Sequence, residues 1–496
     1  MKIKTHQFFP GKRRSKTKEP KQTKRKKFLF LLFLTAHVGG ALSSVDAIMS
    51  TRTSQGAIAW VISLNTFPAA ALPAYWVFGR NDFNGYVHDR QQEDAELIQV
   101  VKDLKERHPE FFSDIGKSHP AVGAGERLTR IPVLKGNQVE LLIDGKATFD
   151  SILEGISRAE SYILVQFFIV KDDEIGKKLQ QALIDKAKQG VEIYFLYDEV
   201  GSYSLPKEYL ETLRAAGVEA RNFHTRKGPN NRFQINFRNH RKIVVVDGHT
   251  SWVGGHNVGD EYIDGGKEFS AWRDTHIKIE GPATLPVQLT FVEDWNWAAG
   301  EVPALNWEVG FRQSGDQDML IIPSGPADKK ETATLMFTHA INSARERIWI
   351  ASPYFVPDQA VVQALQLAIL RGVDVRILIP DEPDHLLVYL AAFSHLKQVG
   401  NDLKVWRYTE GFMHQKVMLI DQQVASVGTA NFDNRSFRLN FEITAFVLDE
   451  GFNQQIEAML LKDFERSVPM EADAIDRKSW WFQLKSRAAS LAAPTL

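Results

Sequence analysis

The chain has 496 residues, with 60 Lys+Arg against 61 Asp+Glu and no cysteine. Its length suggests two or three domains, and 44% hydrophobic with 24% charged content excludes a wholly disordered or fibrous chain. Without thiols there is no disulfide framework, no cysteine-held metal and no cysteine nucleophile.

The near-neutral total hides an asymmetry. Positions 1–27 carry twelve Lys/Arg and one acid, Glu19, a local +11 that leaves −12 for everything after Lys27. Such a run binds nucleic acid, binds anionic lipid, or flanks a membrane segment. The residues after Lys27 decide between these. From Phe28 to Val45 no residue is charged, and a second charge-free stretch runs from Thr53 to Gly79, with Trp60, Tyr75 and Trp76 placed like interfacial anchors. Each stretch is about long enough for the roughly 30 Å hydrocarbon layer. The expectation is a basic leader over 1–27 and a transmembrane hairpin over 28–79, ahead of a secretory signal cleaved near Val45-Asp46-Ala47. The positive-inside rule keeps the leader and everything after Arg80 on the cytoplasmic side, so the chain reads as a multi-pass protein of a membrane.

Positions 80–130 are polar and read as a connector, with a surface helix from Asp94 to His108. From Gly136 onward short apolar strands alternate with helical stretches, which predicts an α/β layer with a mostly parallel sheet. The pattern then repeats. Ser157-Arg-Ala-Glu-Ser-Tyr-Ile-Leu-Val-Gln-Phe-Phe-Ile has a counterpart at Ser343-Ala-Arg-Glu-Arg-Ile-Trp-Ile-Ala-Ser-Pro-Tyr-Phe, and Gly190-Val-Glu-Ile-Tyr-Phe-Leu-Tyr-Asp echoes Gly372-Val-Asp-Val-Arg-Ile-Leu-Ile-Pro-Asp. In the second pair a glycine ends a helix before a strand. Two similar halves are thus expected over 131–300 and 317–470, with Arg226–Phe237 an extra basic loop beside the site and 471–496 a C-terminal tail.

The third repeated element carries chemistry. One copy reads His240-Arg-Lys242 with Asp247, then six residues before Gly254-Gly255-His256-Asn257; the other reads His414-Gln-Lys416 with Asp421, then six residues before Gly428-Thr429-Ala430-Asn431. In a strand, His-x-Lys puts both side chains on one face, and the glycine allows close backbone approach. Two copies supply two imidazoles, two ammonium groups and two carboxamides. That set suits a phosphodiester: Lys and Asn hold non-bridging oxygens, one imidazole attacks phosphorus, and the other protonates the leaving alkoxide. The candidate catalytic residues are His240, Lys242, Asp247, His414, Lys416 and Asp421, although either aspartate could simply pair with a lysine. Asn257, Asn431, Gly254, Gly428 and Thr429 are the candidate substrate-binding residues. The chemistry requires no metal or cofactor.

These motifs resemble those of the phospholipase D superfamily over roughly 131–470, and within it the chain is similar to bacterial cardiolipin synthases. Further features that carry the likeness are the hydrophobic pair, Gln-Gly-Ala-Ile-Ala-Trp60, Ser352-Pro-Tyr-Phe355-Val-Pro, and Asn431-Phe-Asp433-Asn-Arg435-Ser436 leading to Asn440-Phe-Glu442. The resemblance implies two α/β/α sandwich halves sharing one active site in a bacterial inner-membrane enzyme. It implies His240 as nucleophile forming a phosphohistidine, and His414 as general acid and later base. It also implies an acid behind each histidine: Glu442 for His414 and Asp274 for His240, with Glu268 competing because it lies 28 residues after its histidine, as Glu442 does. Gly255 stands where many members have Ser or Thr, so one hydroxyl near the phosphate is missing.

The implied reaction joins two phosphatidylglycerols into cardiolipin and releases glycerol; phosphatidylethanolamine could replace one of them. A phospholipase D or a phosphatidylserine synthase is the alternative. The C-terminal Lys478-Ser-Trp480-Trp481-Phe482-Gln-Leu484-Lys485 suits either an interfacial segment or an ordinary packed helix. A nuclease would use the basic segments on nucleic acid, but the hydrophobic pair and the acidic remainder argue against that partner. An inactive scaffold would not need both motifs intact.

Overall fold

The computed structural model describes residues 21–79, 83, 86, 102–115, 119–224, 236–267, 269–307 and 312–495, which fall into two units, Met1–Asn81 and Asp82–Leu496. In the first unit, helix α1 (Lys21–Ser50) faces α2 (Ser54–Thr66) and α3 (Pro68–Phe78). The apolar part of α1, Arg25–Ser50, is 26 residues and long enough to cross a membrane. The second charge-free stretch is two helices, because Pro68 lacks the N–H that would continue α2 and instead begins α3. The helices close tightly where Gly40 meets α2: a β-carbon there would lie 2.1 Å from the Leu64 carbonyl oxygen. Asn65 Nδ2 donates to Ser44 Oγ (2.8 Å) and Tyr75 Oη to Asp46 Oδ2 (2.7 Å), so the polar groups of this pair satisfy one another.

In the second unit, the first half contributes β1 (Leu134–Ile143), β2 (Tyr162–Phe167), β3 (Glu192–Asp198), β4 (Glu219–Phe223), β5 (Arg238–Asn239), β6 (Ile243–Val246), β7 (Thr250–Gly254), β8 (Trp272–Arg273) and β9 (Thr275–Glu280). The second half contributes β10 (Gln317–Ser324), β11 (Arg347–Ala351), β12 (Phe355–Val356), β13 (Asp374–Pro380), β14 (Lys404–Tyr408), β15 (Phe412–Met413), β16 (Val417–Ile420), β17 (Val424–Gly428), β18 (Phe432–Asp433), β19 (Asn440–Leu448) and β20 (Ser467–Met470). Runs such as Ile243-Val-Val-Val246 and Val417-Met-Leu-Ile420 are buried throughout, as strands covered on both faces require.

The strand order β20-β14-β13-β11-β16-β17-β19-β10-β1-β9-β7-β6-β2-β3-β4 reads as two copies of one pattern, joined where β1 pairs antiparallel with β10. The sheet is not mostly parallel, as the alternation suggested. Parallel pairing is confined to β2-β3-β4 and β11-β13-β14 within the main sheet path. The motif strand and its successor are instead joined by a tight turn at Asp247-Gly248-His249, which permits only antiparallel pairing of β6 with β7. Gly190 (φ +90°) and Gly372 (φ +84°) take the left-handed conformation expected of a residue ending the preceding helix.

Helices cover both faces of the sheet. Thr284–Ala299 and Glu450–Glu465 share one core across both halves, through Phe291, Trp295, Met459 and Phe464. On the other face Asp144–Arg158, Glu174–Ala187 and Lys207–Ala215 cover the first half, and Thr332–Ser343 and Gln359–Leu370 the second. The tail forms a helix, Trp480–Ser490, docked on Leu386–Val399. Of the connector helix foreseen from Asp94, residues 102–107 are helical and 94–101 lie outside the described residues; so do 1–20 of the leader and 225–235 of the basic loop.

Candidate active site

Each His-x-Lys group lies in an extended segment just before its motif strand, at the strand's N-terminal end. Because β6 runs antiparallel to β2, with Gln166 opposite Ile243, that end lies beside the C-terminal ends of the parallel strands. Both histidines are nearly buried (8% and 7% exposed), Lys242 is fully so and Lys416 almost (4%).

Backbone register dictates which acid meets which histidine. The two-residue strand β5 pairs in parallel with the start of β19, setting Arg238 against Asn440 and Asn239 against Phe441. The next residues, His240 and Glu442, therefore fall side by side. His240 Nδ1 lies 3.0 and 2.9 Å from the two Glu442 carboxylate oxygens. In the other half β15 pairs in parallel with β8, Met413 against Arg273, and His414 Nδ1 comes 2.8 Å from Asp274 Oδ2. The pairing expected from the sequence is thus reversed: each acid serves the histidine of the opposite half. The strand that follows each acid pairs within its own half, but the segment that precedes each histidine crosses to the other.

The same register makes Asp274 the counterpart of Glu442. Gly254 pairs with His276 and Gly428 with Thr444, so Asp274 and Glu442 each stand two residues before the partner of the motif glycine. Glu268 lies outside the described residues. The absent hydroxyl at Gly255 also has a local cause. A β-carbon there would lie 2.0 Å from Asp274 Oδ1, so the carboxylate occupies the space a side chain would need. In the second half the longer Glu442 leaves room for Thr429, whose Oγ1 donates to Glu442 Oε2 (2.5 Å), while Asn440 Nδ2 donates to Oε1 (3.2 Å).

Burial holds the His240 imidazole at about 4, against the pull of Glu442. His414 is held well below the ordinary histidine range by burial and by Lys416, Lys242 and His240. Burial lowers Lys242 to about 7 and Lys416 to about 8. Burial pushes the Glu442 carboxyl up, but His240, Lys242 and the Thr429 hydroxyl outweigh it and leave it below the usual range. Groups of both halves feel one another's charge, so the two motifs form one coupled cluster, in which a bound anion would favour the protonated lysines. Lys242 Nζ donates to the His240 carbonyl (2.7 Å), whereas Lys416 Nζ contacts His414 twice, at its carbonyl and at Nδ1 (2.9 Å). Asn257 accepts the Ile169 N–H on Oδ1 (3.2 Å), and the buried Asn431 Oδ1 has no partner among the described residues.

Two predicted residues are not in this cluster. Asp247 and Asp421 lie beyond the far ends of their strands, about 15 Å of extended chain from the lysines. Asp247 accepts the backbone N–H groups of Glu160, Ser161 and Tyr162 (2.8, 2.7 and 2.9 Å); Asp421 accepts those of Arg345, Glu346 and Arg347 (3.0, 2.8 and 2.9 Å). Both adopt φ +51°, which aspartate tolerates. They brace the helix-to-strand turn at the opposite end of the sheet and touch neither lysine.

Other residues escaped the sequence reading. Asp294 accepts from Arg241 (2.7 Å), Gln166 (2.7 Å), Asn239 (2.8 Å) and Tyr86 (2.8 Å); Asp463 accepts from Arg273 Nε and Nη2 (2.8 and 2.9 Å) and from Gln415 (2.8 Å). The central residue of each His-x-Lys is therefore anchored from the back by an acid on a covering helix. The available signal was positional: Asp294 follows Asp274 by 20 residues and Asp463 follows Glu442 by 21.

The family profile described as "Cardiolipin synthase, PLD-like domain" matches residues 152–279 and 337–464. Cardiolipin synthase A of Pseudomonas putida (strain W619) is 47% identical over 464 residues, covering 93% of this chain and 97% of that protein. Cardiolipin synthase A of Pseudomonas aeruginosa (strain LESB58) is 46% identical over 475 residues, covering 95% and 96%. Among solved structures, a phosphatidylserine synthase of Haemophilus influenzae Rd KW20 superposes with a TM-score of 0.54 at 14% identity, over 76% of this chain and all of that one, a likeness of fold. With both halves matched and near full-length relatives this similar, the chain belongs to the cardiolipin synthase family of PLD-like phosphatidyltransferases.

Proposed function

We propose that the clustered groups of the two motifs transfer a phosphatidyl group from one phosphatidylglycerol to another. The observation that carries this reading is the placement of both Glu442 oxygens on His240 Nδ1. They fix Nδ1 as the donor, so the Nε2 lone pair is the nucleophile. Nε2 attacks phosphorus, the P–O bond to the glycerol headgroup breaks, and His414 passes its proton to the departing oxygen. His414 then takes the proton from a hydroxyl of the second phosphatidylglycerol, which attacks phosphorus and breaks the P–N bond. The products are cardiolipin and glycerol, and His240 is regenerated.

Lys242, Lys416, Asn257 and Asn431 hold the non-bridging oxygens, with Gly254, Gly428 and Thr429 shaping the walls. The anionic phosphate cancels the lysine charges that depress His414, so substrate raises the pKa of its own acid. In this reading 28–79 form a two-pass anchor in the bacterial inner membrane, 131–300 and 317–470 are the two halves, and both leader and catalytic body are cytoplasmic. Phosphatidylethanolamine could replace the first phosphatidylglycerol as phosphatidyl donor, the P–O bond to its headgroup breaking and ethanolamine leaving in place of glycerol.

The test is detergent-solubilised protein with labelled phosphatidylglycerol, with and without phosphatidylethanolamine. Cardiolipin with stoichiometric glycerol, absent from His240→Ala, is the expected result. Phosphatidic acid as the sole product would overturn the transfer to a lipid hydroxyl.

A further inference from the structure

The Trp480–Ser490 helix is docked by one face and displays another. Phe482 packs edge-on against Phe393 (5.3 Å), Ser486 Oγ donates to the Leu390 carbonyl (2.7 Å), and Ala489 enters the cluster of Val356, Ala391 and Ala392. These contacts run the helix antiparallel to Leu386–Val399. At 100° per residue, Trp480, Trp481, Leu484, Ala488 and Leu491 fall in a stripe about 100° wide on the outer side. Trp480, Trp481 and Leu491 are 65%, 66% and 82% exposed. Lys485 borders one edge of the stripe and Arg487 the other, both exposed. A surface helix facing water would place its polar residues where this one places tryptophan and leucine.

The antiparallel packing carries the Leu491 end toward Leu386 and Leu387, which are themselves exposed at the start of the partner helix. Just before them, Asp384 accepts a hydrogen bond from the Tyr354 hydroxyl and its charge reaches Lys416. This is the active-site end of the sheet, because the 381–385 loop follows the C-terminal end of β13. The equivalent loop after β3 carries Tyr203, 85% exposed.

We propose that this face of the catalytic body, from Trp480 through Leu491 to Leu386 and Leu387, docks onto the surface of a bilayer containing anionic lipid, independently of α1–α3. The stripe is the apolar side of an interfacial helix, the tryptophans sit at headgroup depth, and Lys485 and Arg487 meet lipid phosphates. Docked in this way, the site mouth opens onto the layer that supplies its substrate. The inference rests on the lipid-transfer reading, but its spin-label test needs no turnover, so failure of one is distinguishable from failure of the other.

The chain has no cysteine, so Leu484→Cys, Leu491→Cys and Lys188→Cys each give a single nitroxide site on the full-length protein. Lys188 is exposed before β3, at the sheet end away from the mouth. In phosphatidylglycerol vesicles the Leu484 and Leu491 labels should collide several-fold more with oxygen than with a water-soluble nickel chelate, and the Lys188 label the reverse. A Leu484 label as open to the chelate as Lys188 would overturn the proposal. A label shielded from both reagents and broadened by a neighbouring spin would also overturn it, in favour of contact with a second copy. The Lys485→Glu/Arg487→Glu double variant should lose several-fold in turnover on vesicles and keep full turnover on dispersed short-chain substrate. Equal loss on both would argue against docking.

Discussion

The two halves solve the same geometric problem with different side chains. In the first, Gly255 and the short Asp274 share the space behind His414; in the second, Thr429 and the longer Glu442 fill the space behind His240. Where the acid is short, any β-carbon at the motif position collides with it; where it is long, a hydroxyl both fits and donates. The pairs are therefore coupled choices. His240 receives two oxygens of one acid, whereas His414 Nδ1 lies between Asp274 and Lys416, so one imidazole is locked as a donor toward its acid and the other is shared. That asymmetry suits one nucleophile and one proton carrier.

The largest expected effect tests whether the halves are both indispensable. His240→Ala and His414→Ala should each lower turnover by about 10⁴-fold or more while the protein stays folded at neutral pH, measured by lipid assay and circular dichroism. Retained activity in either pure variant would break the two-histidine mechanism.

Next comes the cross-half pairing. Glu442→Gln should shift the nitrogen resonances of His240 and leave those of His414, while Asp274→Asn should do the reverse, each with a loss of roughly 10²- to 10⁴-fold in turnover. Perturbation of the histidine in the acid's own half would restore the pairing expected from sequence.

The coupled choice can be probed directly. Gly255→Thr should displace Asp274 and cost on the order of 10²-fold in kcat, whereas Thr429→Ala, which loses one hydrogen bond to a charged group, should cost about 10-fold. A Gly255→Thr protein with full activity would show that Asp274 has room to move.

Asp247→Asn and Asp421→Asn separate motif from site. Each removes part of a carboxylate that gathers three backbone N–H groups, so unfolding free energy should fall by about 1–3 kcal/mol while turnover per folded molecule stays near wild type. Denaturant unfolding with activity at matched folded fraction checks both outcomes, and a turnover loss like that of the histidine variants would return these residues to the chemistry.

The remaining effect concerns pH and touches stability rather than turnover. The His240 imidazole sits at about 4 when folded against an ordinary 6.5, so below pH 6.5 the unfolded chain takes up a proton that the folded chain refuses. Wild type should lose stability as pH falls from about 6.5 to 4, and His240→Ala should show a shallower loss. Lys242, at about 7 when folded, refuses a proton that the unfolded chain holds up to 10.5, so stability should rise with pH between about 7 and 10.5. Identical profiles in wild type and variant would show that His240 is not desolvated.

Sequence alone determined the duplication and the family, because both signals are fixed spacings along one chain; it proposed the His, Lys and Asn set, and it left Asp274 and Glu268 competing as the acid of the first half. It placed Phe28–Val45 in an apolar helix from the absence of charge. It misread the sheet as mostly parallel, because alternation of strand and helix does not record where a tight turn reverses the chain at Asp247. It treated Asp247 and Asp421 as part of the chemistry because proximity in the motif does not register that four strand residues carry the chain to the other end of the sheet. Which acid meets which histidine was decided only by the short parallel pairings of β5 with β19 and β15 with β8. Those bonds join residues about 200 and 140 positions apart, and long-range backbone register leaves no trace in local spacing.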